Sequence, residues 1–195
     1  LNSSSTAAGA IKDYSIWGNN ATLGNATAGT RPVWAAGKVG GAYSFDSVTD
    51  YIETPAINIG TGAVTFAAWV KGGIIPTNRE YGIISAYNST GSWFFTLERS
   101  SWSGGGLSMY VGYLMQTPAS IGYSGWAPTD TNWHYVAMTR NSTEMVLYFD
   151  GVRAANSSNS NLTGFNVGTK TIRVGAPSEY FFNGTIDEVL ILNRS

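Results

Sequence analysis

The 195-residue sequence contains no cysteine and a single histidine, His134. Without cysteine there is no disulfide framework, no cysteine-ligated zinc or iron–sulfur cluster and no thiol nucleophile. One histidine also argues against a multi-histidine metal site and a histidine-dependent catalytic triad. These absences exclude much of hydrolytic and redox enzymology.

Charge is scarce as well. Charged residues make up 12% of the chain, against about 25% in an average soluble protein. The 11 basic and 12 acidic residues leave a net charge of -1, so no broad field favours nucleic acid or an anionic membrane. No apolar run approaches 18 residues, and residues 1–10 lack the charged leader and apolar stretch of a signal peptide. We predict one domain, residues 1–195, with no nucleic-acid partner and no membrane span.

What the sequence does contain is a β-strand pattern. Apolar and polar residues alternate along residues 64–71, and residues 93–99, 107–111 and 134–140 are rich in β-branched and aromatic types. No comparable helical stripe is present. With 43% hydrophobic residues, the chain can bury a substantial core. The fold class predicted is all-β, an antiparallel β-sandwich or jelly roll.

Turn signals agree with this fold class. Residues 141–143 form a short polar connection between the apolar runs 134–139 and 145–149, which predicts a β-hairpin. Asp150-Gly151 predicts a second tight turn directly after it. The Gly/Ser-rich residues 100–106 and the polar residues 156–161 are interpreted as loops between strands.

Asparagine is placed in a pattern typical of secreted glycoproteins. With Ser and Thr at 41 positions, 15 Asn residues would give about three Asn-x-Ser/Thr acceptors by chance. There are nine, and none has proline in the middle position. They begin at Asn2, Asn20, Asn25, Asn88, Asn141, Asn156, Asn161, Asn183 and Asn193. The excess predicts an N-glycosylated protein that is extracellular or at a cell surface.

Six strings in order resemble the signature of laminin-G-like (concanavalin A-like) jelly-roll domains. They are GKVGGAYSFD at residues 37–46, DYIE at 50–53, FAAWVK at 66–71, WHYVA at 133–137, LYFDG at 147–151 and GTIDEV at 184–189 with Asn193-Arg194. The resemblance implies two curved antiparallel sheets of a dozen or so strands. It also implies a secreted module that binds glycans, binds proteins or spaces other domains, without selecting among these uses.

The resemblance further implies one structural Ca²⁺ near Asp46 and Asp187, with Asp50 as a third ligand. Calcium binds six to eight oxygen atoms, which carboxylates and loop carbonyls can supply. The sequence departs from the family pattern because Ser47, not glycine, follows Asp46. The other interpretation is that Asp46 and Asp50 bond within their own turn, and that Asp187 pairs with Arg194 or a backbone amide.

The sequence does not favour an enzyme. Glycoside hydrolases of this superfamily need two carboxylates about 5–9 Å apart across a sugar, and no Glu-x-Asp-x-Glu or Glu-x-x-x-Glu string occurs. The adjacent acids Asp187 and Glu188 are expected on opposite faces of a strand, where they cannot act on one bond. We therefore assign no catalytic residue.

Tryptophan and tyrosine offer a binding surface instead. Trp34, Trp69 and Trp133 match family positions and are predicted to lie in the core, whereas Trp17 and Trp93 have no such explanation. A ligand or partner surface is predicted at Trp102, Tyr113, Tyr123 and Trp126, in or near sequences typical of loops. The alternative is that these rings cap the ends of the sandwich.

The beginning of the sequence departs most from the family. Such domains open with an apolar strand, then a Gly/Ser-rich loop and an Asp-x-Ser-Gly-x-x-Asn segment. Residues 2–10 resemble the loop and residues 13–20 the segment, so the first strand is expected to be missing. Residues 186–192 are apolar on both faces, typical of a strand with neighbours. Strict alternation places Ile186, Leu190 and Leu192 on one face, with Val189 and Ile191 on the other. An exposed edge there would be adhesive.

Three sources could cover that edge. They are further sequence of a longer protein, a substitute strand from residues 4–11, or a strand from another subunit. We predict upstream sequence or another subunit.

Two functions follow. The first is a non-catalytic extracellular module that binds a glycan or a surface protein. The second is a structural subunit of a surface layer, sheath or filament, a homo-polymer formed by strand exchange.

Overall fold

The computed structural model describes residues 11–24, 27–74, 80–87, 93–100, 107–113, 116–123, 125–126, 129–158, 162, 166–176 and 181–194. Within these ranges the chain forms fourteen strands and no α-helix, and therefore no helix there that could cross a membrane. In chain order they are β1 (Thr22–Leu23), β2 (Val33–Ala36), β3 (Gly41–Asp46), β4 (Ile52–Asn58), β5 (Val64–Gly72), β6 (Glu80–Tyr87), β7 (Trp93–Ser100), β8 (Leu107–Tyr113), β9 (Gln116–Tyr123), β10 (Trp133–Arg140), β11 (Glu144–Phe149), β12 (Val152–Ser158), β13 (Thr169–Val174) and β14 (Asn183–Leu192).

The strands pair into two seven-stranded antiparallel sheets. One has the order β1-β4-β13-β6-β7-β8-β9, and the other has the order β12-β11-β10-β5-β14-β3-β2. Their facing sides enclose one hydrophobic core. The predicted antiparallel β-sandwich is confirmed.

Strand β5 shows why the chain folds this way. Its residues Val64, Phe66, Ala68 and Val70 are each at most 1% exposed. Successive strand residues point to opposite faces, so this set covers the core. The opposite face carries Trp69, which is only partly buried and lies under the Lys38 ammonium, 4.8 Å from the ring centroid.

The tryptophans predicted for the core are not there. Trp69 and Trp133 are partly buried outside the core cluster, and Trp34 on the edge strand β2 is 50% exposed. The prediction that these residues are core residues is wrong, because Trp69 belongs to the outward phase of β5 and β2 has no strand beyond it within the described residues.

The predicted hairpin is confirmed in β10 and β11, which pair from Val136 opposite Phe149 to Arg140 opposite Met145. The second predicted turn joins β11 to β12 through Asp150 and Gly151, with φ of 51° and 79°. Two positive φ values are the mark of a type I′ turn. Residues 156–158 belong to β12, so the prediction of a loop there is wrong; their polar side chains suit an exposed edge strand.

Strand β14 contains a β-bulge that the sequence pattern did not predict. Asp187 lies opposite Trp69 of β5, whereas Leu190 lies opposite Ala67, so β14 carries one extra residue. Glu188 takes up the extra length with a φ of 47°. The shift brings Ile186, Val189 and Ile191 onto the core side. Ile186 and Leu190 were expected on one face, and this expectation is wrong because the bulge changes the alternation between them.

Candidate functional site

A large apolar groove opens between the two sheets. Its volume is about 1010 Å³, at the upper end of the range for ligand clefts. Strand β14 and strand β4, which belongs to the other sheet, both line it, and residues from the segment 11–21 complete the lining. The apolar side chains that line it are Ile11, Ala21, Ile52, Ala56, Ile57, Ile59, Val64, Val174, Val189, Leu190, Ile191 and Leu192.

The wall formed by β14 is a backbone edge. Strand β5 pairs with β14 from Gly184 to Leu192, but β3 pairs with it only from Asn183 to Ile186. Among the described residues, no strand pairs with residues 189–192 on that second side. Six consecutive residues, 188–193, line the groove. Because strand side chains alternate between faces, such a run means that the main chain itself borders the groove.

Within the described residues, the segment 11–21 does not pair with this edge. Ile11 is buried and forms an isolated antiparallel bridge with Ala21, not with β14. The remainder of the predicted substitute strand, residues 4–10, lies outside the described residues. The prediction that foreign backbone covers the edge therefore remains a prediction.

An exposed aromatic turn stands at the mouth of the groove. Tyr14 is 74% exposed, Ile16 94% and Trp17 76%, and Tyr14 and Trp17 both line the groove. The Lys12 ammonium lies 5.3 Å from the centroid of the Tyr14 ring. Side chains of this size are costly to leave in water, so a tight exposed group of them indicates a contact surface.

Asp13 holds this turn in shape. Its carboxylate accepts hydrogen bonds from the Ser15 amide at 2.8 Å, the Ser15 hydroxyl at 2.8 Å and the Asn19 amide at 2.7 Å. The Asp13 amide in turn donates to Oδ1 of Asn20 at 3.0 Å. Burial acts to raise the pKa of Asp13, but the bonds from Ser15 and Asn19 outweigh it and hold this pKa below its ordinary value of 3.8. The aromatic turn is therefore preorganised by an ionised carboxylate.

The ligand surface predicted from the sequence, at Trp102, Tyr113, Tyr123 and Trp126, does not include this turn. The structure does not support it as an exposed surface. Trp126 is fully buried, with its ring centroid 5.8 Å from that of Phe149 and the Arg99 guanidinium 4.0 Å above it. The prediction of an exposed Trp126 is wrong, because Arg99 and the end of the core enclose the ring. Burial also lowers the pKa of Arg99 to about 10.

The other three members of that surface are less informative. Tyr123 is partly buried and packs against Phe149 at 5.4 Å between ring centroids, as the end-capping alternative predicted. Trp102 lies outside the described residues, as does the side chain of Tyr113 at the end of β8. The sequence did single out Trp17 as unexplained, and this was the only signal for the exposed turn.

The single histidine has a structural environment that the sequence did not reveal. Nδ1 of His134 lies 2.8 Å from Asp150 and Nε2 lies 3.0 Å from Asp130, while the ring stacks on Phe149 at 4.5 Å between centroids. An amide hydrogen bond from Asn132, with His134 adding to it, lowers the pKa of Asp130. His134 thus ties three segments at one end of the sandwich. No serine or threonine hydroxyl is among these contacts.

Asp46 and Asp50 bond within one turn. Oδ1 of Asp46 accepts from the amides of Val48 at 2.8 Å, Thr49 at 2.9 Å and Asp50 at 3.2 Å, and Oδ2 of Asp50 accepts from the Asp46 amide at 3.0 Å. Burial opposes these amides, which nevertheless lower the pKa of Asp46. Burial and the charge of Asp46 raise the pKa of Asp50.

Asp187 lies apart from that turn. Its fully buried carboxylate accepts from the Val39 amide at 2.9 Å and the Glu188 amide at 2.8 Å, which is the backbone-amide role anticipated as the alternative. A Cβ at Gly37 would overlap this carboxylate, so the close approach requires glycine.

The three predicted calcium ligands do not fit a single site. Asn183 lies opposite Asp46, so Asp187 is displaced by four residues, about 13 Å along the strand. The described ranges contain no group of three or more His, Asp or Glu residues that could hold a metal ion. A calcium site, which remains a prediction, would have to use Asp46 and Asp50 with loop carbonyls.

The glycosylation sequons fall into three groups. Asn20, Asn156 and Asn193 are exposed, whereas Asn141 and Asn183 are partly buried; Asn2, Asn25, Asn88 and Asn161 lie outside the described residues. Asn183 is the poorest acceptor among those described, because its side-chain amide donates to the Ile74 carbonyl at 3.4 Å and packs where a Cβ on Gly73 would sit.

Comparison with solved structures supports the fold. The binding domain of Paraclostridial Mosquitocidal Protein 1 matches with a TM-score of 0.70 at 16% identity, over 97% of this chain and 47% of that one. The chain thus spans about half the length of that domain. The binding domain of Botulinum Neurotoxin DC in complex with SialylT matches with a TM-score of 0.71 at 14% identity, over 94% and 45% of the two chains.

A third neighbour is similar in size. Domain 4 of AbnA, a GH43 extracellular arabinanase from Geobacillus stearothermophilus in complex with arabinotriose, matches with a TM-score of 0.66 at 18% identity, over 88% of this chain and 81% of that one. No curated protein matches the sequence. A laminin-G family model, described as the concanavalin A-like lectin/glucanases superfamily, matches residues 46–195. Because this model matches most of the chain and the chain forms a two-sheet sandwich, the chain belongs to the concanavalin A-like lectin/glucanase superfamily.

Proposed function

We propose that this chain is a non-catalytic, N-glycosylated extracellular module that binds glycan through its exposed aromatic turn. The single observation that carries the proposal is the exposure of Tyr14 and Trp17 on a turn fixed by Asp13. Sugar rings stack on flat aromatic faces, and a fixed turn presents those faces with little loss of conformational freedom on binding.

Polar groups beside the aromatic rings suit a hydroxyl-rich ligand. Lys12, Ser15, Asn19 and Asn58 all line the groove. A few polar side chains around an apolar or aromatic surface are the usual composition of small-ligand sites. The complexes with arabinotriose and SialylT among the structural neighbours support a binding module.

A glycan array followed by titration calorimetry tests the proposal. Trp17→Ala should weaken binding of any glycan that scores on the array by at least tenfold, whereas Trp34→Ala should leave it unchanged. Trp34 is a matched control because it is half exposed but does not line the groove. A glycan whose affinity is insensitive to Trp17→Ala would refute the assignment of the turn.

Glycosylation and location require separate tests on protein from its native source. We expect modification at the exposed Asn20, Asn156 and Asn193, at Asn141 in the β10–β11 turn, and at Asn25 and Asn161, which lie in polar stretches of the sequence. Intact mass before and after deglycosylation measures it. An unmodified native mass would contradict both glycosylation and the extracellular expectation built on it.

Calcium is proposed at the turn of Asp46 and Asp50. Burial and then the charge of Asp46 raise the pKa of Asp50, and a cation there would offset the repulsion between the two carboxylates. Melting curves with calcium and with chelator test it, and binding at 100 times the dissociation constant would add about 2.7 kcal/mol. Asp46→Ala should abolish the shift, while Asp187→Ala should retain it. Identical curves in calcium and chelator would show that no site exists.

A second candidate function is a structural subunit of a surface layer, sheath or filament. The observation that favours it is the edge of β14 at residues 189–192, with which no described strand pairs on the side away from β5. Light scattering with and without calcium separates the two candidates. A binding module stays monomeric in both conditions, whereas a subunit polymerises.

A further inference from the structure

Asn20, one of the exposed sequon asparagines, lies at the end of the aromatic turn. Its amide donates to the Gly18 carbonyl at 2.8 Å, and Gly18 has a φ of 60°, so the chain folds back directly after Trp17. Three residues span at most about 11 Å even when fully extended, and this fold shortens the distance. The side chains of Trp17 and Asn20 therefore lie within reach of one sugar residue.

The side-chain amide of Asn20 is oriented for modification. Its Oδ1 accepts from the Asp13 amide at 3.0 Å, and because a backbone amide can only donate, Oδ1 must face the turn. Nδ2, the atom that carries an N-linked glycan, is therefore on the opposite side of the amide group. Asn183 differs, because its Nδ2 donates to the Ile74 carbonyl at 3.4 Å.

Trp17 supplies an aromatic face beside this amide. The side chain is 76% exposed, and its ring makes no stacking or cation contact with another described residue. Tyr14 differs, because the Lys12 ammonium lies 5.3 Å from its ring centroid. An exposed indole face of this kind suits the apolar face of a sugar ring.

The spacing of aromatic residue and acceptor is not repeated at the other two exposed sequons that the structure describes. Residues 17–22 read Trp-Gly-Asn-Asn-Ala-Thr, with tryptophan three positions before the acceptor asparagine. The residue three positions before Asn156 is Arg153, and the one before Asn193 is Leu190. Of these three sequons, the first alone places an aromatic ring next to its glycan.

We infer that the first sugar of the glycan on Asn20 stacks on Trp17, so that the protein's own glycan occupies the aromatic turn and limits the access of free glycans to it. The inference rests on the proposed function, from which it takes the glycosylation of Asn20 and the sugar-stacking role of Trp17. The linkage joins Nδ2 of Asn20 to the anomeric carbon of a lipid-phosphate-linked oligosaccharide. The lipid phosphate leaves and one amide proton is released.

Attachment to the chain makes this contact favourable without high intrinsic affinity. A short tether holds its ligand at an effective concentration of about millimolar, and the stacked sugar covers a large side chain that is costly to leave in water. If the sugar covers Trp17 about nine-tenths of the time, a free glycan binds about tenfold more weakly. Glycosylation at Asn20 therefore regulates the same surface that the proposed function uses.

The test compares glycoforms of the 195-residue chain, secreted from yeast and trimmed to the linking N-acetylglucosamine. Thr22→Ala removes the sequon but keeps Asn20, and the Thr22 hydroxyl makes only a long bond of 3.4 Å to the Glu53 carbonyl. Ser158→Ala removes the sequon of Asn156 on β12 and is the matched control. Intact mass should show that each variant lacks one sugar. An Asn20 without sugar in both yeast and native protein would overturn the inference.

Melting temperature and NMR measure the contact itself. Trp17→Ala should lower the melting temperature by about 2–4 °C more in the glycosylated chain than in the Thr22→Ala chain. Ser158→Ala should leave the effect of Trp17→Ala unchanged. NMR should show contacts between the protons of the linking sugar and those of the Trp17 indole. Equal effects of Trp17→Ala in the two backgrounds, or the lack of sugar–indole contacts, would overturn the inference.

Binding of a free glycan that scores on the array separates this inference from the proposed function. The Thr22→Ala chain should bind it about tenfold more tightly than the glycosylated chain, whereas the Ser158→Ala chain should not. Equal affinities would overturn the inference and leave the proposed function standing if Trp17→Ala still weakens binding. If no free glycan binds even the Thr22→Ala chain, the proposed function fails, and the melting and NMR comparisons still decide the inference.

Discussion

Two strand edges of the same sheet are protected very differently. The outer edge, β12, has the sequence VRAANSS, is largely exposed, and contains a register shift opposite Leu147 and Tyr148. Arg153 on this strand pairs with Glu144 of β11. The inner edge, residues 189–192 of β14, follows the bulge at Glu188, has the sequence VLIL and carries no charged side chain. The polar and charged side chains of the outer edge suit a strand that faces water, whereas the aliphatic side chains of the inner edge do not.

The largest expected difference between the two strands concerns side-chain burial. Ile186 is fully buried between β3 and β5, whereas Val152 at the start of β12 is 67% exposed. Ile186→Ala should lower the free energy of unfolding by about 2–5 kcal/mol, and Val152→Ala by at most about 0.5 kcal/mol. Urea denaturation measures both. If the two substitutions lowered the free energy of unfolding by similar amounts, β14 and β12 would not differ in side-chain burial as described.

A second prediction concerns the buried carboxylate beside the bulge. Asp187→Ala leaves the amides of Val39 and Glu188 without their acceptor, which should cost about 1–3 kcal/mol. Asp187→Asn keeps one acceptor oxygen and should cost less. If Asn and Ala were equally destabilising, volume or charge rather than amide pairing would be the cause.

The third prediction concerns a substitution at the surface of β14. It should change stability little but should affect association of the chain. Leu190 is 41% exposed, so Leu190→Lys should change the free energy of unfolding by no more than about 0.5 kcal/mol. If the chain associates through this edge, as the second candidate function requires, light scattering of concentrated protein should fall, because lysine protects an open edge. Val152→Lys on β12 should leave the scattering unchanged. If Val152→Lys lowered the scattering and Leu190→Lys did not, the contrast drawn between the edges of β12 and β14 would be wrong.

The smallest expected effect is local and depends on pH. The pKa of Asp13 is lower in the folded chain than its ordinary value of 3.8, so its contribution is fully present above about pH 4 and is lost as the pH falls through the folded pKa. The Ser15 and Asn19 amide resonances should therefore move below pH 3.8, while those of β12 stay still. Asp13→Asn should remove this titration, and a midpoint above 3.8 would contradict the assigned hydrogen bonds.

Much of the fold could be predicted because strand alternation and turn chemistry are local. The hairpin of β10 and β11 and the Asp150-Gly151 turn are both encoded within a few residues. The bulge at Glu188 could not be predicted, since one extra residue in a strand leaves no mark in composition. The burial of Trp126 depends on Arg99, which is distant in sequence, so a loop-like context suggested exposure instead.

The site was harder to predict than the fold. The sequence indicated that residues 186–192 have neighbours, but not that β3 stops pairing at Ile186 and leaves a groove. Trp17 was noted only as unexplained, because the rigidity of its turn depends on hydrogen bonds to Asp13. The carboxylates were grouped by resemblance, and the register of β3 against β14 separates Asp187 from Asp46.

The position of β14 between β3 and β5 has a consequence for biosynthesis. Both neighbours are made early, yet the strand that joins them follows β5 by about 110 residues. At about 5–20 residues per second, a ribosome needs roughly 6–22 s to produce the intervening chain. During that interval the exposed sides of β3 and β5 have no native partner. Cotranslational chaperones should therefore bind nascent chains that end before residue 183, and release them once β14 has emerged from the exit tunnel.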